Sequence, residues 1–150
     1  MTILKLVDAN DKTLITKSET IEDVSSPEIK TLIDDLIETS ISLGGYGLAA
    51  PQVGINKQLF VYRKTSHGGD YRVVINPTII VAAGKMISRN EGCLSLPGFR
   101  RDMKRAKTFV ISCINASGEV IRLKGSTKIE TLVLQHEVDH LLGKLIRSGV

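Results

Sequence analysis

An α+β fold with mostly antiparallel sheets follows from three features of the 150-residue chain. A strongly amphipathic helical stretch lies near the N-terminus, short β-type segments fill the middle, and a second helical stretch comes near the end. This order of helix, strands, helix differs from the alternating strand and helix units of a parallel sheet. The expected arrangement is sheets packed around a central helix, the last one, with one N-terminal amphipathic helix, all in a single domain over 1–150.

Each element has a local cause. Residues 3–7, ILKLV, suit a short strand or an extended arm. In SSPEIKTLIDDLIETSISLGG, Ser26 is a candidate N-cap, Pro27 suits the first turn and Glu28 complements the helix dipole. Ile29, Leu32, Ile33, Leu36 and Ile37 recur at helical spacing, and Gly44-Gly45 supply a stop. QLFVYR (58–63) and YRVVIN (71–76) flank a turn at Gly68-Gly69, and TIIVA (78–82) reads as a further strand after Pro77. TFVISCIN (108–115) and EVIRLKG (119–125) are predicted to form a hairpin across ASG. From about Ser126 to Leu142 the spacing is helical again, with Ile129, Leu132, Val133 and His136 on one face. GGYGLAAPQVG (44–54) and NEGCLSLPGFR (90–100) carry no clean period, and irregular segments between regular elements are where sites gather.

Composition narrows the function classes. A hydrophobic content of 42% and charged content of 24% fit a soluble globular protein. No stretch approaches the roughly 20 apolar residues of a membrane helix, and MTILKLVDAN is too short an apolar run for a signal peptide. A cytoplasmic location with no membrane partner is expected. Aromatic residues are 4% and Trp is absent, which argues against a base-stacking surface and sequence-specific nucleic-acid binding. The net charge of +4 suits either an ordinary solvated surface or an anionic, nucleic-acid-rich partner, and the first is the simpler reading. Cys93 and Cys113 are better read as two thiols, or as one thiol and one metal ligand, than as a disulfide.

The chemistry is carried by QHEVDH (135–140), in which His136, Glu137 and His140 form H-E-x-x-H. Positions i and i+4 share a helix face, so the two imidazoles can grip one ion, while Glu137 points about 100° away as a base. The central helix is thus read as a metal-binding one. A catalytic site needs a third protein ligand and an open position for water. Leu141 to Val150 contain no Asp, Glu, His or Cys, so the ligand must lie upstream. His67 sits at a predicted hairpin tip, and Cys113 alternates with Phe109 and Ile111 as a core residue. Cys93, beside Gly92 in EGCLSLPG, is the better choice, with an upstream carboxylate as the alternative. One thiolate and two imidazoles suit zinc or ferrous iron.

Three motifs together resemble the peptide deformylase family: GYGLAAPQ (45–52), EGCLS (91–95) and QHEVDH (135–140), in that order. The resemblance implies removal of the formyl group from formyl-methionine at the N-terminus of new polypeptides, with release of formate. It implies one divalent metal ion per chain, ferrous iron natively with zinc or nickel as substitutes. By matching position, Cys93, His136 and His140 are the implied metal ligands and Glu137 the general acid/base. Gln52, through its amide, and Leu94, through its backbone N–H, are the implied oxyanion donors. Gly47 matches the residue whose backbone pairs with the peptide, flanked by Gly45 and Tyr46. Glu91 and Arg100 match supporting and substrate-holding positions. Tyr46, Ile129, Leu132 and Val133 are candidates for the methionine pocket, the last three also readable as core. Arg89, if its side chain reaches the pocket rim, favours a polar or acidic second residue in the peptide.

The implied partners are N-formylmethionyl nascent peptides and, transiently, the ribosome. The chain ends about ten residues after His140, and this short form resembles phage-encoded members without a C-terminal extension. A zincin-type peptidase is the rival enzyme, and the lack of a downstream ligand speaks against it. A metal-binding scaffold without turnover is the rival from another class; it would need neither Glu137 nor Gln52.

Overall fold

The computed structural model describes residues 2–64 and 69–148. Among these the chain forms two α-helices, α1 (Pro27–Leu43) and α2 (Lys128–Leu141), with seven strands in two antiparallel sheets. Strands β1 (Gly47–Ala49), β2 (Leu59–Arg63), β3 (Tyr71–Ala83), β6 (Thr108–Ile114) and β7 (Val120–Lys124) make a five-stranded sheet in the order β1-β2-β3-β6-β7. Strands β4 (Met86–Gly92) and β5 (Arg100–Arg105) make a separate hairpin. The antiparallel α+β class is the observed one. No helix among the described residues is long and apolar enough to cross a membrane.

Helix α1 starts as its sequence predicts. The Ser26 hydroxyl accepts from the Ile29 N–H at 3.3 Å, and Pro27 fills the first turn. It stops at Gly44, whose φ of 67° lies in the left-handed region that glycine adopts without a Cβ penalty. Helix α2 begins two residues later than the spacing suggests, at Lys128: Thr127 is the cap, accepting from Glu130 N–H at 3.1 Å. The N-terminal stretch is an extended arm, tied down by Leu4 N–H to Thr39 Oγ1 (2.8 Å) and Val7 N–H to the Gln52 carbonyl (3.0 Å).

The five-stranded sheet is the middle layer. Alternation on β2 sends Leu59 and Val61 to one face, where they pack with Ile29, Leu32, Ile33 and Leu36 of α1. Phe60 and Tyr62 go to the other, against Leu134, Val138 and Leu141 of α2. A third apolar cluster, Leu14, Leu96, Leu145 and Ile146, sits beneath Cys93 and Met103 and braces the loop after β4.

One expectation is corrected. Pro77 does not divide two strands: β3 runs through it for 13 residues. The β2 pairing ends at Ile75, the β6 register shifts between Ile75 and Thr78, and Pro77 falls in that gap, where its missing N–H costs no ladder bond. Asn76 takes φ of 50°, and its side-chain amide bonds the N–H and carbonyl of Ile21 at 2.9 and 2.8 Å, holding the irregularity. The β4–β5 hairpin, which flanks the irregular 93–99 segment and positions it, has no signal in the residue pattern. In 44–54, where the sequence shows no clean period, the chain forms a three-residue strand and a short 3-10 turn at Ala50–Val53.

Candidate active site

Helix α2 brings His136 and His140 onto one side, with Nε2 to Nε2 at 3.2 Å. Cys93, in the turn after β4, places Sγ 3.4 Å from His140 Nε2. The donor atoms of the three residues all lie within 4.8 Å of one another. Metal–nitrogen bonds of about 2.0–2.1 Å and metal–sulfur bonds of about 2.3 Å give tetrahedral edges of about 3.3–3.6 Å. The His136–His140 and Cys93–His140 edges, 3.2 and 3.4 Å, are close to these, so the residues fit one metal ion. Cys113 lies in the core on β6, 2% exposed, where burial pushes its thiol up to about 11. His67 lies outside the described residues.

The orientation of each donor is fixed by its neighbours. The Glu91 carboxylate accepts from His136 Nδ1 at 2.8 Å, so that nitrogen carries a hydrogen and Nε2 is the atom turned toward His140 Nε2. Glu91 is paired in turn with the Arg105 guanidinium, which also bonds Asp139 Oδ2 at 2.6 Å. Burial works against the Glu91 charge, yet the His136 and Arg105 hydrogen bonds hold its carboxyl down near 2. Burial likewise opposes charge on His136, but Cys93 and Glu91 raise it to about 10. The cluster therefore attracts positive charge, which a divalent ion also supplies. Burial and the charge of His136 keep the His140 imidazole well below its ordinary value, and so neutral. Gln135 clamps the helix: its Oε1 accepts from Ala106 N–H (2.7 Å) and its Nε2 donates to the Ala106 carbonyl (2.9 Å).

Glu137 is 4% exposed, and its Oε1 has no hydrogen-bond partner among the described residues. Burial raises its pKa to about 7, the range in which a carboxyl can both take and return a proton. Gly47 faces it across a tight gap: a Cβ there would stand 3.0 Å from Glu137 Oε2 and 2.9 Å from the Val61 carbonyl. Only glycine fits without displacing one of them. Gln52 is buried beside Cys93. Its Oε1 accepts from the Ala49 N–H (2.9 Å), a donor only, which forces Nε2 toward Ser95 Oγ (2.9 Å) and Cys93 Sγ (3.9 Å). Among the described residues nothing accepts from the Leu94 N–H.

These groups open on one cleft of about 560 Å³. Its lining includes Gly45, Tyr46, Gly47, Gln52, Glu91, Cys93, Leu94, Arg100, Ile129, Leu132, Val133, His136 and Glu137, while His140 lies behind it. Ile129 is 46% exposed and lines the cleft, so it is not core; Val133 lines the cleft and also packs on the α2 core cluster. The face shared by Ile129, Leu132, Val133 and His136 is therefore the cleft side of α2, and Leu134, Val138 and Leu141 are the core side. Strand β1 pairs only with β2 among the described residues, leaving its other edge open. Arg100 lies on the cleft and donates to the Asn90 carbonyl (3.2 Å).

Arg89 is not on the rim. It pairs with Asp102 across the β4–β5 hairpin at 2.9 Å, away from the cleft lining. Sequence reasoning missed Ser88, Leu96, Pro97 and Phe99 of the lining, the Ser95 partner of Gln52, and the Arg105–Asp139 support. Phe99 had a signal: it is one of three Phe in the chain and follows a Pro-Gly turn.

An α+β fold that gathers a Cys/His/His group and a buried glutamate in one open cleft is that of a mononuclear metallohydrolase. The chain belongs to the polypeptide deformylase family, whose sequence profile matches residues 3–149. It is 38% identical over 148 residues to a peptide deformylase of Thermodesulfovibrio yellowstonii, covering 97% of this chain and 88% of that protein. It resembles the crystal structure of Ehrlichia chaffeensis peptide deformylase in complex with actinonin, with a TM-score of 0.92, 32% identity, and 100% and 90% of the two chains covered. A probable peptide deformylase from synechococcus phage S-SSM7 is similar at a TM-score of 0.87 and 36% identity, over 97% and 98% of the two chains.

Proposed function

We propose that this chain, as one catalytic domain over 1–150, is a metal-dependent hydrolase that removes the formyl group from the formyl-methionine of newly synthesised polypeptides and releases formate. The observation that carries this reading is the convergence of the Cys93/His136/His140 group, buried Glu137 and Gln52 Nε2 on one cleft. Family membership over nearly the whole chain supports it.

Cys93, His136 and His140 would hold a divalent ion, which when bound would supply Lewis acidity toward a carbonyl oxygen and water. Glu137 takes the proton of the attacking water on its carboxylate and returns it to the amine nitrogen as the formyl C–N bond breaks. The Gln52 amide N–H and the Leu94 backbone N–H donate to the formyl oxygen as it gains negative charge. The open edge of β1 at Gly47 pairs with the extended peptide. Gly45, Tyr46, Ile129, Leu132 and Val133 surround the methionine side chain, and Arg100 steadies the cleft mouth. Glu91 keeps His136 in the tautomer that binds the ion. Ferrous iron is the proposed native metal, with zinc and nickel suited to the same donors. The proposed setting is the cytoplasm, with nascent peptides as substrate and the ribosome as a transient partner.

The test compares formyl-Met-Ala-Ser with its unformylated twin. The metal-loaded protein releases formate and free amine from the first and nothing from the second. Glu137→Gln keeps its metal and loses formate release by about 10²–10⁴-fold. Cleavage of the Met-Ala bond without formate would refute the reading.

A further inference from the structure

The chain holds six aromatic side chains, three Phe and three Tyr. Phe60, Tyr62 and Phe109 are buried in the core, and Tyr71 packs on the α1 cluster with its hydroxyl 3.0 Å from Ser40 Oγ. The other two are exposed, Tyr46 by 46% and Phe99 by 40%, and both line the cleft. An apolar residue scattered singly on a surface needs no explanation, whereas exposed rings gathered on one cleft do. Tyr46 has a partner within the fold, the Arg63 guanidinium 5.0 Å from its ring centre. Phe99 is in none of the three apolar clusters among the described residues.

The backbone under Phe99 is nonetheless fixed. Leu96 N–H donates to the Cys93 carbonyl at 3.0 Å and Phe99 N–H to the Leu96 carbonyl at 3.1 Å, so two consecutive turns lead from Cys93 to the ring. In the second turn Pro97 stands where its set φ is suited, and Gly98 takes φ of 77°, the pattern of a type II turn. A Cβ at Gly98 would meet nothing within 4 Å, so it is the backbone angle that favours glycine there. Leu96, 5% exposed, anchors the turn in the cluster with Leu14, Leu145 and Ile146. Pro97 and Phe99 thus form an apolar shelf on the cleft. The nearby cations are already engaged. Arg89 pairs with Asp102, and the Arg100 guanidinium donates to the Asn90 carbonyl and lies 3.0 Å from where a Gly92 Cβ would stand.

We propose that Phe99 is a specificity-determining residue, whose ring receives the side chain of the second residue of the peptide and selects large apolar or aromatic residues there. The proposal rests on the deformylase reading. A peptide extended along the β1 edge points successive side chains to opposite sides. With methionine directed at Ile129, Leu132 and Val133 of α2, the second side chain is directed away from α2, out between the banks of the cleft where Phe99 is exposed. Contact there removes two apolar surfaces from water, on a turn that the fold has already ordered.

The experiment measures kcat/KM of the metal-loaded protein for formyl-Met-Phe-Ser and formyl-Met-Gly-Ser. The wild type is expected to favour the first about 3- to 10-fold, the worth of one aromatic contact. The difference should lie in KM, because the contact is remote from the reacting carbon. Phe99→Ala is expected to abolish the preference, and Phe99→Tyr, which keeps the ring, to retain it. Absence of a wild-type preference overturns the proposal, and so does a loss in Phe99→Ala that falls equally on both peptides. A preference for formyl-Met-Asp-Ser over formyl-Met-Phe-Ser would assign the position to Arg100 instead. A changed choice between formyl-Met-Gly-Ser and formyl-Leu-Gly-Ser in Phe99→Ala would place the ring in the methionine pocket and likewise overturn it. Binding is read separately, by calorimetry on metal-loaded Glu137→Gln with and without Phe99→Ala. The Kd values for formyl-Met-Phe-Ser and formyl-Met-Gly-Ser should show the same preference and its loss. Formate release with no second-residue preference sinks the shelf alone, and a preference in binding with no formate release by the wild type sinks the deformylase reading alone.

Discussion

Cys93 and Cys113 are the same residue in opposite surroundings. Cys113 alternates with Phe109 and Ile111 on the regular strand β6, with its side chain in the core and its thiol pushed up to about 11 by burial. Cys93 sits where β4 has ended and no ladder governs the backbone, half-buried and 3.4 Å from His140 Nε2. The regular element hides its sulfur and the irregular one presents it. Reactivity in this molecule is decided by what converges on the residue, here an α2 histidine and the Gln52 amide.

The largest effect that could break this contrast is expected from Cys93→Ala. Removal of one of three donors lowers formate release more than about 100-fold, beyond the range for outer-shell partners. A variant that keeps near-wild-type turnover would show that another residue supplies the ligand. Glu91→Gln comes next. It leaves a weaker acceptor for His136 Nδ1 and unbalances Arg105, so metal affinity falls about 10- to 100-fold by competitive chelation. Cys113→Ala belongs to the other side of the contrast: it costs about 1 kcal/mol in denaturant unfolding and leaves metal content unchanged. The smallest effect is on pH. Because burial raises the Cys113 thiol from 9.0 to about 11, the unfolded chain loses that proton first. Its contribution to stability is whole below pH 9 and declines toward pH 11. Cys113→Ala should flatten that part of the stability curve in metal-free protein, and an unchanged slope would mean that other groups dominate it.

The helices were legible because their signals agree at several levels. In α1, the Ser26 cap, Pro27, the apolar period and Gly44 all point to the same boundaries. In α2, H-E-x-x-H fixed which side chains could share an ion, and the lack of a donor among the C-terminal residues only pointed upstream, where Cys93 stood beside an upstream carboxylate as the alternative. The strand through Pro77 was not legible, because a proline reads as a break unless its N–H is known to have no ladder partner. The β4–β5 hairpin was hidden for another reason. RRDMKR has no apolar alternation, since this small sheet buries little more than Ser88 and Arg105 and is held by charge pairs. Those two pairs join residues 13 and 14 apart, and Arg105 also reaches Asp139 of α2, 34 residues on, separations no local pattern reports. The same long-range pairing took Arg89 to Asp102 and not to the cleft.

The central claim is that one of the two thiols completes the metal site. Cobalt(II) loading tests it directly, because a thiolate bound to cobalt gives a near-ultraviolet charge-transfer band. Wild-type protein and Cys113→Ser are predicted to show the band at one cobalt per chain, and Cys93→Ser to lose it. A band that persists in Cys93→Ser, or disappears in Cys113→Ser, would contradict the account.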